Sequence, residues 1–149
     1  MRHTIARYTV KLVRESNSLY STPKQCQSAS DIADLCRVVL GMGDEPVEVL
    51  AVVFMDVKNK VIGVQEISRG TVSSSLVHPR EVLKGAILAN ASSIILVHNH
   101  PSGDVNPSHA DKQVTATIKQ ASTLMQIELL DHVIIASDSH YSFRDNGML

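Results

Sequence analysis

Two histidines and an aspartate lie close together in the segment HNHPSGDVNPSHAD, which runs from His98 to Asp111 and follows the apolar run SIILV. The apolar run predicts a buried strand, and on a strand residues i and i+2 point to the same face, roughly 6.5 to 7 Å apart. His98 and His100 can therefore reach the same metal ion, because zinc–nitrogen bonds are about 2.0 to 2.1 Å long.

A turn and a helix start bring a carboxylate back towards these imidazoles. Pro101 and Gly103 favour a reversal of the chain. Pro107 precedes Ser108, a good helix N-cap, so Asp111 occupies the third helical position and can point at the two histidines. Two histidines and one carboxylate with an open fourth position are typical of catalytic zinc sites, whereas structural sites have four protein ligands. The segment therefore predicts a zinc site.

The same residues also have a purely structural interpretation. The pattern S-x-x-D is a helix start in which the Asp111 carboxylate turns back to the backbone of Ser108 and lies at the positive end of the helix dipole. We expect the two roles to compete, because a carboxylate that caps the helix cannot fully face a metal. His132, in the apolar run LLDHVII, favours a hydrogen-bonded core histidine, and it is the best reserve ligand.

Hydrolysis at a zinc site needs a further carboxylate that moves protons. Glu48, Glu66 and Glu81 lie near apolar segments and are the candidates. Glu48 immediately precedes the buried run VLAVVF, where desolvation would favour proton uptake by its carboxylate. A solvated surface position is the alternative for each of the three. Spacing alone does not choose between them.

The elements that must position these residues alternate between strand and helix patterns. Helical spacing is found in residues 28–40, 79–90 and 108–125, and strand patterns are found in VEVLAVVFMD, VIGVQEI, SIILV, IELLDHVIIAS and HYSFRD. A short strand is also predicted in GTVSSSLV, and alternation of Tyr8, Val10 and Leu12 predicts one over residues 5–13. We predict an α/β domain with one mixed sheet flanked by about three helices, residues 1–28 forming an N-terminal strand and linker and residues 29–149 the globular domain.

Composition limits the classes of function. The chain has 149 residues, 44% of them hydrophobic, and a formal net charge of -1, so charge does not predict nucleic-acid binding. Its two cysteines lack the CxxC spacing of thiolate zinc sites, and no apolar stretch approaches the length of a membrane span. We therefore expect a cytoplasmic protein without a membrane segment.

An exposed strand at residues 5–13, or the strand VEVLAVVF, could pair two copies into a homodimer.

The segment from His98 to Asp111 resembles the H-x-H-P-x6-S-x2-D signature of JAMM/MPN+ metalloproteins. The longer stretch GTVSSSLVHPREVLKGAILANASSIILVHNHPSGDVNPSHADKQVT, together with LLDHVIIAS, YSF and NGML, is similar to the RadC family, and the resemblance extends over roughly residues 29–149. It implies a JAMM/MPN fold of the cytidine-deaminase-like kind, in which helices flank a curved mixed sheet. It also implies that His98, His100 and Asp111 bind Zn²⁺.

The resemblance further implies a zinc-dependent hydrolase of the metallopeptidase or isopeptidase type, in which a zinc-activated water attacks an amide bond of a protein or peptide. Ser108 matches the serine that helps to stabilise the oxyanion, and Glu48, after the first long helix, best matches the place of the catalytic glutamate. The alternatives are a DNA repair-associated or nucleic-acid processing protein and a zinc-bound scaffold without turnover. Full-length RadC proteins carry an N-terminal segment that resembles helix-hairpin-helix modules, and we expect this chain to be a short form without it.

Overall fold

The computed structural model describes residues 4–15, 25–70 and 77–149. Within these residues the elements follow in the order α1 (Ala29–Leu40), β1 (Val49–Met55), β2 (Val61–Arg69), α2 (Pro79–Leu88), β3 (Ser93–Asn99), α3 (His109–Leu124), β4 (Glu128–Ile135) and β5 (His140–Ser142). The strands form one sheet in the order β2-β1-β3-β4-β5, in which β3 and β4 are parallel and the other neighbours are antiparallel. The predicted α/β fold with a mixed sheet and three helices is confirmed.

Strands β1 and β3 lie inside the sheet, and every residue of both is buried. Helix α1 packs on one face of the sheet, and α2 and α3 pack on the other. Because both faces are covered, these two strands are continuous apolar runs rather than alternating ones. His98 shares a face of β3 with Ile94 and Leu96, which pack against α2 and α3. The metal-binding candidates therefore lie on the α2 and α3 side of the sheet.

Gly85 allows α2 to approach the sheet closely. A Cβ atom at this position would lie 2.9 Å from Cζ of Phe54 on β1 and would also press on the side-chain amide of Gln65 on β2. Phe54 is only 3% exposed and has little room to move. A larger residue at this position would separate α2 from the sheet.

The strand predicted for residues 5–13 is wrong. Residues 4–15 form no helix or strand, and Ile5, Tyr8 and Val10 are 89%, 85% and 70% exposed. An alternating pattern becomes a strand only where a neighbour supplies backbone hydrogen bonds. The strand VEVLAVVF is also unsuited to pairing two copies, because β1 has β2 on one edge and β3 on the other.

The folded unit begins a few residues before the predicted boundary at residue 29. Gln25 forms a β-bridge with Lys60, and Cys26 belongs to the buried cluster beneath α1. Most of the linker predicted before residue 29 (residues 16–24) and most of the strand predicted in GTVSSSLV (residues 71–76) lie outside the described residues. No helix in the described part of the chain has the length and apolar character needed to cross a membrane.

Candidate metal centre

The two imidazoles converge because β3 continues as extended backbone beyond its last residue. The His100 N–H donates to the carbonyl of Ile135 on β4 (2.8 Å), which holds His100 in line with the strand. His98 and His100 therefore point to the same face, with their Nε2 atoms 2.9 Å apart and their ring centroids 4.7 Å apart. His98 is 1% exposed, while the side chain of His100 is 12% exposed and forms the open side of the pair.

A tight turn reverses the chain directly after His100. The Gly103 N–H donates to the His100 carbonyl (3.0 Å), and Gly103 has a φ of +85°, which favours glycine. The Asn106 N–H then donates to Oδ1 of Asp104 (2.9 Å). This turn places Ser108 and the start of α3 next to the histidines.

The capping box of α3 delivers the carboxylate. The Asp111 N–H donates to Oγ of Ser108 (3.1 Å), and the Ser108 N–H donates to Oδ2 of Asp111 (2.7 Å). Oδ1 of Asp111 lies 3.2 Å from Nε2 of His98, and Oδ2 lies 3.4 Å from Nε2 of His100. The carboxylate thus caps α3 and faces both histidines at once, and the expected competition between capping and metal binding stays a prediction. A carboxylate has two oxygens, and the same orientation serves both interactions.

The contacts of Asp111 with His98 and His100 shift the pKa values of Asp111 and His100. Burial alone would raise the pKa of Asp111, but the contacts with His100, His98 and Ser108 outweigh it and hold this pKa well below its usual range. The hydrogen bond to Asp111 raises the pKa of His100 against the opposing effect of burial, with a further contribution from the Asp104 carbonyl. The cluster thus contains an ionised carboxylate beside an imidazole that readily takes up a proton.

The donor set fits a single metal ion. His98, His100 and Asp111 each offer one ligand atom, and these atoms lie within 4.8 Å of one another. Two ligand atoms on one tetrahedral zinc ion are about 3.3 Å apart, given bonds of roughly 2.0 to 2.1 Å. The two Nε2 atoms are 2.9 Å apart, and each lies close to that value from one oxygen of Asp111, His98 at 3.2 Å from Oδ1 and His100 at 3.4 Å from Oδ2. Nδ1 of His100 contacts the backbone carbonyl of Asp104, so its hydrogen is donated there and Nε2 is left for a metal.

The three glutamates considered as proton carriers occupy different places. Leu50 on β1 pairs with His98 on β3, and continuing this antiparallel register by two residues puts Glu48 opposite His100 on the same face. Glu48 is half-buried, and its charge contributes to raising the pKa of His100. Glu66 instead pairs with Ala51, whose side chain belongs to the core beneath α1.

Glu66 and Glu81 are also held by cations. The carboxylate of Glu66 accepts two hydrogen bonds from Arg69, at 3.0 and 2.9 Å. Glu81 lies on α2, where its carboxylate accepts from Lys84 at 2.6 Å, and this ion pair lowers the pKa of Glu81. Of the three glutamates, Glu48 is the one that the sheet register brings to the histidines.

His132 is a buried, hydrogen-bonded core histidine, as its sequence context predicted. Its Nε2 lies 2.8 Å from Nδ1 of His98, and its Nδ1 lies 2.6 Å from Oγ1 of Thr115 on α3. Desolvation is the main reason why the pKa of His132 is lowered well below its ordinary value, and nearby His98 adds to the effect. One ring nitrogen contacts Thr115 and the other contacts Nδ1 of His98, so His132 lies behind His98 and is not a fourth member of the cluster. Sequence reasoning did not single out Thr115, because its contact with His132 spans two elements.

Asn99 is a second residue that sequence reasoning missed. It lies between the two histidines but points to the other side of β3, where Oδ1 accepts the Val49 N–H (2.7 Å). Its Nδ2 donates to the carbonyls of Val47 (3.0 Å) and Glu45 (3.3 Å). These bonds fix the backbone on both sides of Glu48 relative to β3. The sequence signal for this role was the side-chain amide of an asparagine within a buried strand, because an amide can donate to and accept from a neighbouring backbone at the same time.

Comparisons with known proteins relate the chain to one family. A family model described as RadC-like JAB domain matches residues 26–148. A UPF0758 protein of Chlorobaculum parvum is 55% identical over 126 residues, which are 85% of this chain and 56% of the relative. A UPF0758 protein of Chlorobaculum tepidum is 56% identical over 106 residues (71% and 48%), and one of Rubrobacter xylanophilus is 47% identical over 122 residues (82% and 52%). The chain thus spans about half the length of these relatives.

Proposed function

Since this chain belongs to the RadC-like JAB family, we propose that it is a zinc-dependent hydrolase that cleaves an amide or isopeptide bond in a protein or peptide. The observation that carries the proposal is the convergence of His98, His100 and Asp111 on one point in the described part of the chain. Three protein ligands leave a coordination position open, which is the arrangement of catalytic rather than structural zinc sites.

When bound, zinc would lower the pKa of a coordinated water towards about 7 and polarise the substrate carbonyl. Glu48 is the residue that we assign to proton transfer. The register of β1 and β3 supports this role, because it carries Glu48 to the side of His100, the more exposed of the two histidines. In this role the Glu48 carboxylate accepts the proton of the attacking water and later delivers it to the leaving amine.

Ser108 is the residue that we assign to stabilising charge on the carbonyl oxygen. Its Oγ accepts the Asp111 N–H, and the hydroxyl hydrogen can then be donated to the carbonyl oxygen of a substrate. A hydroxyl held by a helix cap is preorganised, so it needs little rearrangement as negative charge develops. The cap therefore orients both a proposed metal ligand and a proposed oxyanion donor.

Zinc content and hydrolysis test this function separately. His100→Ala should lose zinc by elemental analysis, and full zinc occupancy in this variant would contradict the assigned site. Glu48→Gln should retain zinc and lose hydrolysis of isopeptide-linked and linear peptide substrates. Glu66→Gln is the matched control and should retain both, because the Glu66 carboxylate is paired with Arg69. Loss of hydrolysis in Glu66→Gln but not in Glu48→Gln would assign proton transfer to Glu66.

Two other roles predict different results from the same proteins. A scaffold would bind zinc and leave every amide substrate intact. A nucleic-acid processing protein would bind DNA with an affinity that falls steeply with salt. The formal net charge of -1 supports this last role less, because it gives no electrostatic attraction for a phosphate backbone. We place the protein in the cytoplasm, since both of its cysteines are buried free thiols.

A further inference from the structure

A chain of buried hydrogen bonds connects the back of the metal centre to helix α3. Thr115 Oγ1 donates to the Asp111 carbonyl (2.6 Å) and lies 2.6 Å from Nδ1 of His132. Nε2 of His132 lies 2.8 Å from Nδ1 of His98. Thr115, His132 and His98 are 3%, 1% and 1% exposed, so water does not compete for these contacts.

The direction of the first bond fixes the direction of the others. A hydroxyl has one hydrogen, and that of Thr115 is donated to the Asp111 carbonyl, so its oxygen accepts from His132. A neutral imidazole carries one hydrogen, which places it on Nδ1 of His132 and leaves Nε2 as an acceptor. Nε2 of His132 must then receive the hydrogen on Nδ1 of His98.

We propose that Thr115 and His132 are positioning residues that hold His98 in the tautomer with its hydrogen on Nδ1 and its lone pair on Nε2, facing His100 and Asp111. The reverse order would place a hydrogen on Nε2 of His98, where it would block a metal. The inference deepens the proposed metal site and rests on it for its functional meaning. A histidine ligand needs such a partner for its second nitrogen, and loss of the partner weakens metal binding.

The fold explains why the partner is a histidine on β4. Strands β3 and β4 are parallel, and His132 pairs in register with Leu96, two residues before His98. The His132 ring also stacks on Phe143, with ring centroids 4.8 Å apart and an interplanar angle of 15°. Packing thus holds the ring in place, while Thr115 determines which of its nitrogens carries the hydrogen.

The first test measures tautomers in the metal-free protein by long-range 1H–15N NMR, at a pH where His100 is protonated and its Nε2–H faces the lone pair on Nε2 of His98. His98 and His132 should each show a hydrogen on Nδ1. A hydrogen on Nε2 of His98 would overturn the proposal. This readout does not depend on zinc, so it remains decisive even if the wild-type protein binds no metal and the proposed function fails.

The second test compares threonine variants on α3. Thr115→Val should weaken zinc binding by about 10-fold, the lower end of the range for losing a ligand's direct partner, because Thr115 acts on His98 through His132. Thr115→Ser should restore near-wild-type affinity, since it keeps the hydroxyl. Thr123→Val is the matched control, because the Thr123 hydroxyl donates to the carbonyl of Lys119 four residues earlier (2.8 Å) but lies on an exposed part of the helix.

The affinities separate the proposal from a merely structural role. Wild-type zinc affinity in Thr115→Val would overturn the proposal. Equal weakening in Thr115→Val and Thr123→Val would also overturn it, by assigning the effect to helix stability. A structural role alone would leave the His98 tautomer unchanged in Thr115→Val, whereas the proposal predicts that part of its hydrogen moves to Nε2.

Discussion

Two helices of this protein begin with the same capping box, and only one of them faces histidines. On α1 the Asp31 carboxylate accepts the Ser28 N–H (3.0 Å), and on α3 the Asp111 carboxylate accepts the Ser108 N–H (2.7 Å). Replacing Asp31 or Asp111 by asparagine weakens the capping box of its helix, and the two boxes are alike. Only the change at Asp111 removes a charged oxygen from the metal centre. The pair Asp31→Asn and Asp111→Asn therefore separates capping from metal binding.

The sizes of the two effects make the comparison clear. Loss of a cap interaction costs about 1 kcal/mol, and a free-energy change of that size shifts Tm by about 2 to 4 °C in a chain of this length. Zinc at about 100 times its Kd stabilises the folded protein by about 2.7 kcal/mol, which corresponds to a rise in Tm of roughly 5 to 10 °C. The zinc effect thus exceeds the capping effect.

Thermal unfolding with and without zinc measures both effects. Asp31→Asn should show the full zinc-induced rise in Tm, starting from a slightly lower value. Asp111→Asn should lose most of that rise, because asparagine cannot supply the negative charge that accompanies two imidazoles on the ion. An Asp111→Asn protein that zinc stabilises as much as the wild type would refute Asp111 as a ligand and leave it only as a cap.

Three further predictions concern groups around the site. Without metal, the raised pKa of His100 means that its protonation stabilises the fold below pH 6.5 and that this stability is lost as pH rises through the raised value. Denaturant unfolding should show this decline, and an unchanged decline in Asp111→Asn would contradict its cause. Asn99→Ala should lower the free energy of unfolding by about 1 to 3 kcal/mol, because the backbone groups that Asn99 binds lose their partners. A loss below about 0.5 kcal/mol, which is half the value of a typical net hydrogen bond, would contradict this prediction. Gly85→Ala should destabilise by about 1 to 3 kcal/mol in the same assay despite better helix propensity, and a rise in stability would contradict the close contact of α2 with the sheet.

Local patterns in the sequence were sufficient to predict the metal-binding candidates. The i, i+2 spacing of His98 and His100 is a property of one strand, and the Ser108 to Asp111 spacing is a property of one helix start. The Pro and Gly residues between them predict the reversal. These features depend on neighbours in the chain, so they can be read without knowing the tertiary structure.

Contacts between elements could not be predicted in the same way. The contact of His132 with His98 depends on the parallel register of β3 and β4, and the contact with Thr115 depends on how α3 lies across the sheet. Glu48 could be distinguished from Glu66 only when the pairing of β1 with β2 and β3 was known. The N-terminal alternation failed for the same reason, since a strand requires a partner that its own sequence does not specify.

Diffraction from crystals grown with zinc, recorded on both sides of the zinc absorption edge, tests the central claim most directly. The account predicts one strong anomalous peak at about 2.0 to 2.2 Å from Nε2 of His98, Nε2 of His100 and a carboxylate oxygen of Asp111. A zinc peak elsewhere, with none between these three side chains at full zinc loading, would contradict it.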